Sequence, residues 1–265
     1  MIWMGRYFLS EAKKAFTYRV EFWVGFFGNI ASQFAVAYFL WKAIFAQRGA
    51  VSMQGFSFLT LMAYYLIAPL MERLVHGGES GQISRDIYEG GLSKYLVYPI
   101  SFFNAKLMTH LSQTVLACGQ LCAVLLLMTW PGPFDLPFDP LAWGACLLLL
   151  GLSILVQFAM TACLELLAFW VDNVWSLSVM LRMVLHLAGG SMVPLVFFPE
   201  KVQTVFHYLP FQGFIDLPTR LILGHASLLE AGRGMAVAVI WALGLGLTAR
   251  LFWQRGLMRY SGAGM

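Results

Sequence analysis

Histidines and carboxylates are the residues from which acid–base or metal chemistry would be built, and their spacing here forms no known constellation. The five histidines are scattered, and none belongs to an HExxH pair. The chain has no Gly-x-Ser-x-Gly elbow. No lysine follows a glycine, so the phosphate-binding pattern G-x-x-x-x-G-K-[ST] is missing as well. We therefore expect no catalytic residue, no metal site and no nucleotide site in this chain.

Three ionisable residues do stand out, because they lie inside strongly apolar stretches. They are Glu165, Arg182 and His186. An unpaired charge within a membrane costs at least about 2.5 kcal/mol, which makes such residues candidates for function. One interpretation is a polar lining of a substrate path. The other, which we favour, is a structural pair of Glu165 with Arg182 across the short connection FWVDN.

The composition indicates the kind of protein in which these residues lie. Of the 265 residues, 60% are hydrophobic and 11% are charged, whereas a soluble domain has about a quarter charged residues. The mean hydropathy of +0.73 is that of a membrane protein. Apolar stretches follow one another so closely that no separate soluble domain has room. We expect a single transmembrane domain over residues 1–265.

The predicted fold is all-α, with six transmembrane helices of about 20 or more apolar residues each. The predicted spans are residues 22–45, 55–72, 102–129, 141–169, 174–198 and 235–253. Pro69 interrupts the second span. Residues 1–20 place apolar side chains on one helical side and cations on the other, which predicts a helix lying in the membrane interface. The alternative is an extension of the first span.

The distribution of Lys and Arg predicts the orientation. Most cations fall in the N-terminal segment, in the loop after the second span and in the C-terminal tail. By the positive-inside rule, these segments and both termini are cytoplasmic.

The predicted cytoplasmic region 79–98 contains the sequence QISRDIYE. Ile83 and Ile87 are four residues apart, and the charged side chains point elsewhere on a helical period. Gly90 and Gly91 then supply a stop. The pattern predicts a short amphipathic helix against the inner membrane surface, with an exposed face of mixed charge.

The predicted outer segment 199–224 is apolar but interrupted by prolines, so it cannot be one continuous span. Irregular backbone at membrane depth survives only where protein buries it or where it lines a cavity. We expect a helical hairpin that dips into the outer leaflet, with Lys201, His207 and Arg220 near the water. A surface loop with a few amphipathic turns is the alternative.

Taken in order, the stretch EGGLSKYLVYPIS after a cytoplasmic helix, the later GGSMVPLVFFPEKVQTVFHYLPF and a terminal span resemble the permease subunits of type-2 ABC exporters, in particular a bacterial branch of them. The resemblance covers nearly the whole chain. It implies an elbow helix at the N-terminus, a coupling helix that docks into a separate ATPase, and a re-entrant hairpin at an outer gate. The implied ATPase-coupling residues are Ile83, Arg85, Asp86, Ile87, Tyr88 and Glu89, and the implied gate residues are Pro194, Pro199, Pro210 and Phe211.

The resemblance also implies partners: P-loop ATPase subunits that bind ATP and Mg, and a second permease, either another copy or a different protein. The expected location is the bacterial cytoplasmic membrane, among membrane lipids and without nucleic acid. The spans are rich in Phe, Leu and Met, which favours an amphiphilic or hydrophobic substrate moved outwards. Two alternatives are a membrane scaffold or assembly protein and a proton-coupled secondary transporter with Glu165, Arg182 and His186 as its relay.

Overall fold

The computed structural model describes residues 19–77, 80–97, 101–129, 134 and 136–260. Its regular structure within these residues is helical, apart from one hairpin of two-residue strands. The elements are α1 (Arg19–Arg48), β1 (Ser52–Met53), β2 (Phe56–Ser57), α2 (Phe58–His76), α3 (Gln82–Tyr88), α4 (Leu92–Val97), α5 (Phe102–Thr129), α6 (Pro140–Glu165), α7 (Trp175–Ala188), α8 (Glu200–Tyr208), α9 (Asp216–Ile222) and α10 (Leu228–Leu257). Three 3₁₀ turns add Leu166–Phe169, Leu195–Phe197 and Pro210–Gly213.

Local capping sets where several helices begin. Ser57 accepts a hydrogen bond from the Thr60 N–H at 3.1 Å before α2. Asp139 accepts from the Leu141 N–H at 3.0 Å before α6. Ser227 precedes α10 and accepts from the Glu230 N–H at 3.2 Å. Each cap satisfies one of the N–H groups that have no partner within the helix, and Ser227 with Glu230 has the spacing of a capping box.

Among the residues that the structure describes, four helical segments are long and apolar enough to cross a membrane: Phe58–His76, Phe102–Thr129, Pro140–Phe169 and Leu228–Leu257. They correspond to the second, third, fourth and sixth predicted spans. Pro69 lies inside α2 without ending it. Helix α1 overlaps the first predicted span and has 30 residues.

The fifth predicted span, 174–198, is wrong as a continuous helix. Helix α7 has 14 residues and ends at Ala188. Gly190 then adopts a left-handed conformation with φ of +89°, and the chain continues irregularly to the turn at Leu195–Phe197. The apolar composition of residues 189–198 indicated burial, but burial of this segment is achieved without a helix.

Helix α2 is the centre of the bundle. Within the apolar window of α2, 67% of the residues are buried, compared with 11% in α10. Helix α2 packs against α1, α5 and α6, while α10 packs along α6 at the periphery. A helix that is apolar on all sides is buried on all sides, which is the position α2 takes.

The predicted interfacial helix, residues 1–20, lies almost entirely outside the described residues. The two other predicted regions are described. Residues 80–97 contain α3 and α4, and residues 199–224 contain α8 and α9 with a turn between them.

Candidate functional site

Helix α3 is the amphipathic helix that the sequence predicts. Ile83 and Ile87 are buried in an apolar cluster with Leu166, Phe169 and Val174, which belong to the segment after α6. On the opposite side, Arg85 and Glu89 are exposed. Helix α3 is therefore fixed to the bundle by its isoleucines and presents one cation and one anion to the solvent.

The start of α3 is held by a carboxylate from another helix. Glu165, at the end of α6, accepts the N–H of Gly81 at 2.5 Å, of Ile83 at 2.7 Å and of Ser84 at 3.3 Å. Its side chain is buried, at 2% exposure. Gly81 occupies the N-cap of α3 and has no side chain for this purpose. The negative charge also lies at the favourable end of the helix dipole.

The expected pair of Glu165 with Arg182 is not formed, because the two side chains have different partners. The Arg182 guanidinium donates to the Ser80 hydroxyl at 3.2 Å, and Arg182 is largely exposed on α7. Both side chains reach the residues just before α3, but Arg182 contacts Ser80 and Glu165 contacts Gly81.

Two coupling candidates on α3 are occupied by contacts within the chain. Asp86 forms ion pairs with Lys106 at 2.7 Å and with Lys94 at 3.3 Å. The Tyr88 hydroxyl donates to the carbonyl of Val171 at 2.8 Å, and partial burial raises the pKa of the Tyr88 phenol. Asp86 and Tyr88 therefore orient α3, while the exposed pair on this helix remains available to a partner.

Backbone conformation and limited space explain the two glycines, Gly90 and Gly91, that follow α3. Gly90 has φ of +74°, a conformation that favours glycine. A Cβ on Gly91 would lie 2.8 Å from Oδ1 of Asp86. The pair lets the chain turn tightly against α3 and continue into α4.

A small polar cavity of about 40 Å³ lies behind α3. Its lining includes Lys106, His110, Gln157, Thr161 and Glu165. Two buried atoms, Nε2 of His110 and Oε1 of Gln157, have no hydrogen-bond partner within the described part of the chain. A water needs about 10–15 Å³ and two or more polar groups, so the cavity has room for two or three waters.

His186 pairs with Glu72, a residue that the sequence analysis did not single out. Its Nδ1 lies 2.9 Å from Oε1 of Glu72 on α2, and the Ser191 hydroxyl donates to Oε2 of Glu72 at 2.5 Å. Both side chains of the ion pair are partly exposed, His186 at 30% and Glu72 at 19%. Glu72 is followed by another turn of α2, and this position inside a span could have identified it.

The irregular segment after α7 is held by α2 and α9. The Tyr64 hydroxyl lies 2.8 Å from the Gly190 carbonyl, to which it donates, and 3.1 Å from Oδ1 of Asp216. The same carboxylate oxygen accepts the Leu195 N–H at 3.0 Å. The Tyr65 hydroxyl donates to the carbonyl of Met192 at 2.8 Å. Side chains thus satisfy backbone groups that a continuous helix would have satisfied itself.

Arg220 is buried, contrary to the expectation that it lies near the water. Its Nε donates to Asp216 at 2.8 Å and its Nη1 to Glu230 at 2.9 Å, and the residue is 7% exposed. Burial by itself would lower the pKa of Arg220, but the two carboxylates outweigh it and raise that pKa. Burial and the charge of Arg220 lower the pKa of His225. Lys201 and His207 are exposed.

The four predicted gate residues lie at the ends of the short elements. Pro194 precedes the turn Leu195–Phe197, and Pro199 precedes α8. Pro210 begins the turn Pro210–Gly213 that joins α8 to α9, and Phe211 follows it. Pro194 and Pro210 are buried, Phe211 is half-buried and Pro199 is exposed. The Ser153 hydroxyl of α6 donates to the Gly213 carbonyl at 2.7 Å and attaches this turn to the bundle.

Helix α6 therefore contacts both candidate regions. Ser153 lies at its middle, against the turn between α8 and α9, while Glu165 at its end holds α3. No curated protein matches the chain in a sequence comparison. A family described as ABC-2 family transporter protein matches residues 31–264, which include the apolar helices α2, α5, α6 and α10, the α3 region and the α8–α9 hairpin. The chain belongs to this family of transporter membrane proteins.

Proposed function

We propose that this chain is the transmembrane subunit of an ATP-driven exporter that moves an amphiphilic or hydrophobic substrate outwards. The observation that carries the proposal is the anchored helix α3, with Glu165 at its start and Arg85 and Glu89 exposed. A short helix fixed at one end of a bundle, with two opposite charges directed outwards, is suited to docking in a groove of another protein. The partner that fits is a P-loop ATPase, which would bind the ATP and Mg.

The proposed complex contains two permeases and two ATPases, in the bacterial cytoplasmic membrane. Each permease has six membrane segments, in which α1 and the short α7 join the four long apolar segments. Both termini and α3 are cytoplasmic, residues 1–20 lie along the interface, and α8 with α9 enters the outer leaflet. This orientation is supported by the positive-inside rule, because it places most of the Lys and Arg residues on the cytoplasmic side.

The substrate path follows one side of α7. Arg182 is exposed on this helix, and His186 and Glu72 are partly exposed beside it. Contact of such groups with lipid chains would cost several kcal/mol, so protein or a polar path must cover them. In our proposal this surface faces the second permease across the substrate path.

ATP binding would close the ATPases and press on α3. Because Glu165 and the two buried isoleucines fix α3 to α6, the displacement passes to α6 and, through Ser153, to the turn before α9. The prolines at the ends of the hairpin elements then act as points where the gate segment changes orientation.

The test is a charge reversal on the exposed face of α3. Arg85→Glu combined with Glu89→Lys is expected to separate the ATPase from the permease during purification in mild detergent, without unfolding the permease. Glu200→Lys combined with Lys201→Glu is the matched control, because both residues are exposed on α8 at the other end of the bundle. Retention of the ATPase by the α3 variant at the control's level would refute the docking role.

A proton-coupled carrier is the second candidate, and the Glu72–His186 pair is the observation that favours it. Glu72→Gln and Glu165→Gln provide the comparison. A proton-coupled carrier would lose its dependence on the proton gradient in at least one variant. An ATP-driven exporter would show transport without gradient dependence in the parent protein and in both variants.

A further inference from the structure

A cavity of about 470 Å³ lies at the end of the bundle opposite α3. It is bounded by the last turns of α1, by the hairpin of β1 and β2, and by the turn Leu195–Phe197. Its lining includes Trp41, Ile44, Arg48, Met53, Gln54 and Phe197. The volume falls within the roughly 300–1,000 Å³ of sites for small molecules.

The inner wall of this cavity is aromatic and fixed in place. Trp41 is 4% exposed, and its Nε1 donates to the Tyr65 hydroxyl at 3.0 Å. Tyr65 in turn donates to the Met192 carbonyl. The ring of Phe197 lies 4.7 Å from the ring of Trp41. A pre-formed apolar wall of this kind suits a hydrocarbon chain, since the rings of Trp41 and Phe197 are already packed against each other before the ligand binds.

The mouth of the cavity is polar and carries a positive charge at Arg48. Trp41, Ile44 and Arg48 are spaced three and four residues apart, so they share one side of α1, with the cation at the exposed end. Gln54, in the hairpin turn, is exposed at the same mouth. None of the lining residues in the described part of the chain is acidic. The charge therefore favours an anionic head group.

We propose that this cavity binds an amphiphile with an apolar chain and an anionic head group. The chain lies against Trp41 and Phe197, and the head group contacts Arg48. Binding itself does not require an ATPase. The assignment of this cavity to the path of the exported molecule does rest on the proposed function.

The experiment uses dodecyl phosphate with a photoreactive diazirine at the chain end, added to the full chain in lipid nanodiscs. We expect saturable labelling of peptides that contain Trp41, Met53 or Phe197. A dodecylphosphocholine probe with the same diazirine should need about fivefold more ligand, because its head group has no net charge for the exposed Arg48 to attract.

Variants then test the two parts of the site. Arg48→Gln should raise the half-saturation for dodecyl phosphate about fivefold and remove the preference over the phosphocholine probe. Lys201→Gln removes an exposed cation outside the cavity and should leave the half-saturation of labelling unchanged. Met53→Trp narrows the cavity from the side of the hairpin and should reduce labelling. Labelling that is not saturable, or that is equal in parent protein, Arg48→Gln and Met53→Trp, would overturn the proposal.

The occupant has two possible sources, an exported amphiphile or a resident anionic lipid. Labelling of the assembled transporter with and without ATP turnover distinguishes them. Labelling that falls during turnover assigns the site to the exported molecule, and labelling unaffected by turnover assigns it to a resident lipid. Loss of ATPase binding in the Arg85 and Glu89 double variant would leave labelling of the isolated chain unchanged, so the two proposals fail separately.

Discussion

The carboxylate of Glu165 accepts the backbone N–H of Ile83 at 2.7 Å, so the end of α6 caps the start of α3. The same carboxylate also accepts the N–H groups of Gly81 and Ser84. A residue 82 positions away in the sequence thereby replaces the local capping side chain that glycine at position 81 lacks. This side chain therefore contributes to the position and the stability of α3, together with the two buried isoleucines.

Replacement of Glu165 should release α3 more than it destabilises the rest of the bundle. Glu165→Ala leaves three N–H groups without their acceptor, and a buried group without its hydrogen bond costs about 1–3 kcal/mol. Hydrogen exchange in a peptide covering residues 80–89 should accelerate by about 5- to 150-fold, the equivalent of that free energy. Glu165→Gln keeps an acceptor and should show a smaller effect. Unchanged exchange in Glu165→Ala would show that the isoleucine contacts alone hold the helix.

Removal of the Tyr64 hydroxyl should weaken the attachment of the segment after α7. Tyr64→Phe leaves the Gly190 carbonyl without this donor in a buried site, at a cost of about 1–3 kcal/mol. The expected observation is a lower Tm in detergent, with faster proteolysis at residues 189–199. Tyr38→Phe is the control, because Tyr38 is only half-buried and its hydroxyl contacts Lys42 at 3.5 Å. An equal Tm for both variants would contradict the bracing role.

Substitution of two glycines should distinguish the cost of an unfavourable backbone conformation from the cost of a steric clash at Cβ. Gly190 and Gly55 both have positive φ, +89° and +83°. A Cβ on Gly190 would lie 2.9 Å from Asp216 and from the Tyr64 hydroxyl, whereas a Cβ on Gly55 meets nothing within 4 Å. Gly55→Ala should therefore cost about 1 kcal/mol from backbone conformation alone. Gly190→Ala should reduce Tm clearly further, and a similar reduction in both would show that the contact at Gly190 relaxes easily.

The two carboxylates that contact Arg220 should differ in importance. The side chain of Asp216 is 1% exposed and that of Glu230 is 38% exposed. Breaking a buried pair costs about 3–5 kcal/mol, whereas a solvent-exposed pair contributes about 0–1 kcal/mol. Asp216→Asn should therefore lower Tm or membrane yield severely, and Glu230→Gln only slightly. The reverse order would mean that the pair with Glu230 is the one that holds Arg220.

Pro210→Ala should alter transport more than expression. Pro210 begins the turn between α8 and α9 and fixes its backbone, so alanine should leave the turn in place but make its conformation less restricted. The measurements are substrate efflux from vesicles and membrane yield of the same variant. Loss of membrane insertion with no separate effect on efflux would identify the turn as structural.

The apolar elements could be predicted well from the sequence, because hydrophobic length and periodicity decide them locally. Helices α5 and α6 correspond closely to the predicted spans at 102–129 and 141–169. The two isoleucines of α3 are buried, as their four-residue spacing indicates. The fifth span failed because Gly189, Gly190 and Pro194 interrupt a sequence that remains apolar, so hydropathy alone could not detect the end of α7.

The polar contacts could not be predicted, because their partners are far apart in the sequence. Tyr64 and Asp216 are separated by 152 positions, and Glu72 and His186 by 114. The negative charge of Glu165 in an apolar stretch predicted that this residue has a partner. The expected partner was a cation, but the partners found are three backbone N–H groups. Arg220 was expected near the water as a cation of the outer hairpin, yet it is buried and pairs with Asp216 and Glu230.

The cap on α3 also limits how this chain can be recombined with its relatives. Residues 80–97 form one continuous segment of the sequence, yet the side chain that accepts the first N–H groups of α3 belongs to residue 165. A chimaera that receives a foreign version of this segment should retain the receiving chain's register only if the graft keeps glycine at position 81 and the host keeps glutamate at position 165. Exchange of docking specificity between such permeases therefore requires that the grafted segment and the host residue at position 165 match each other.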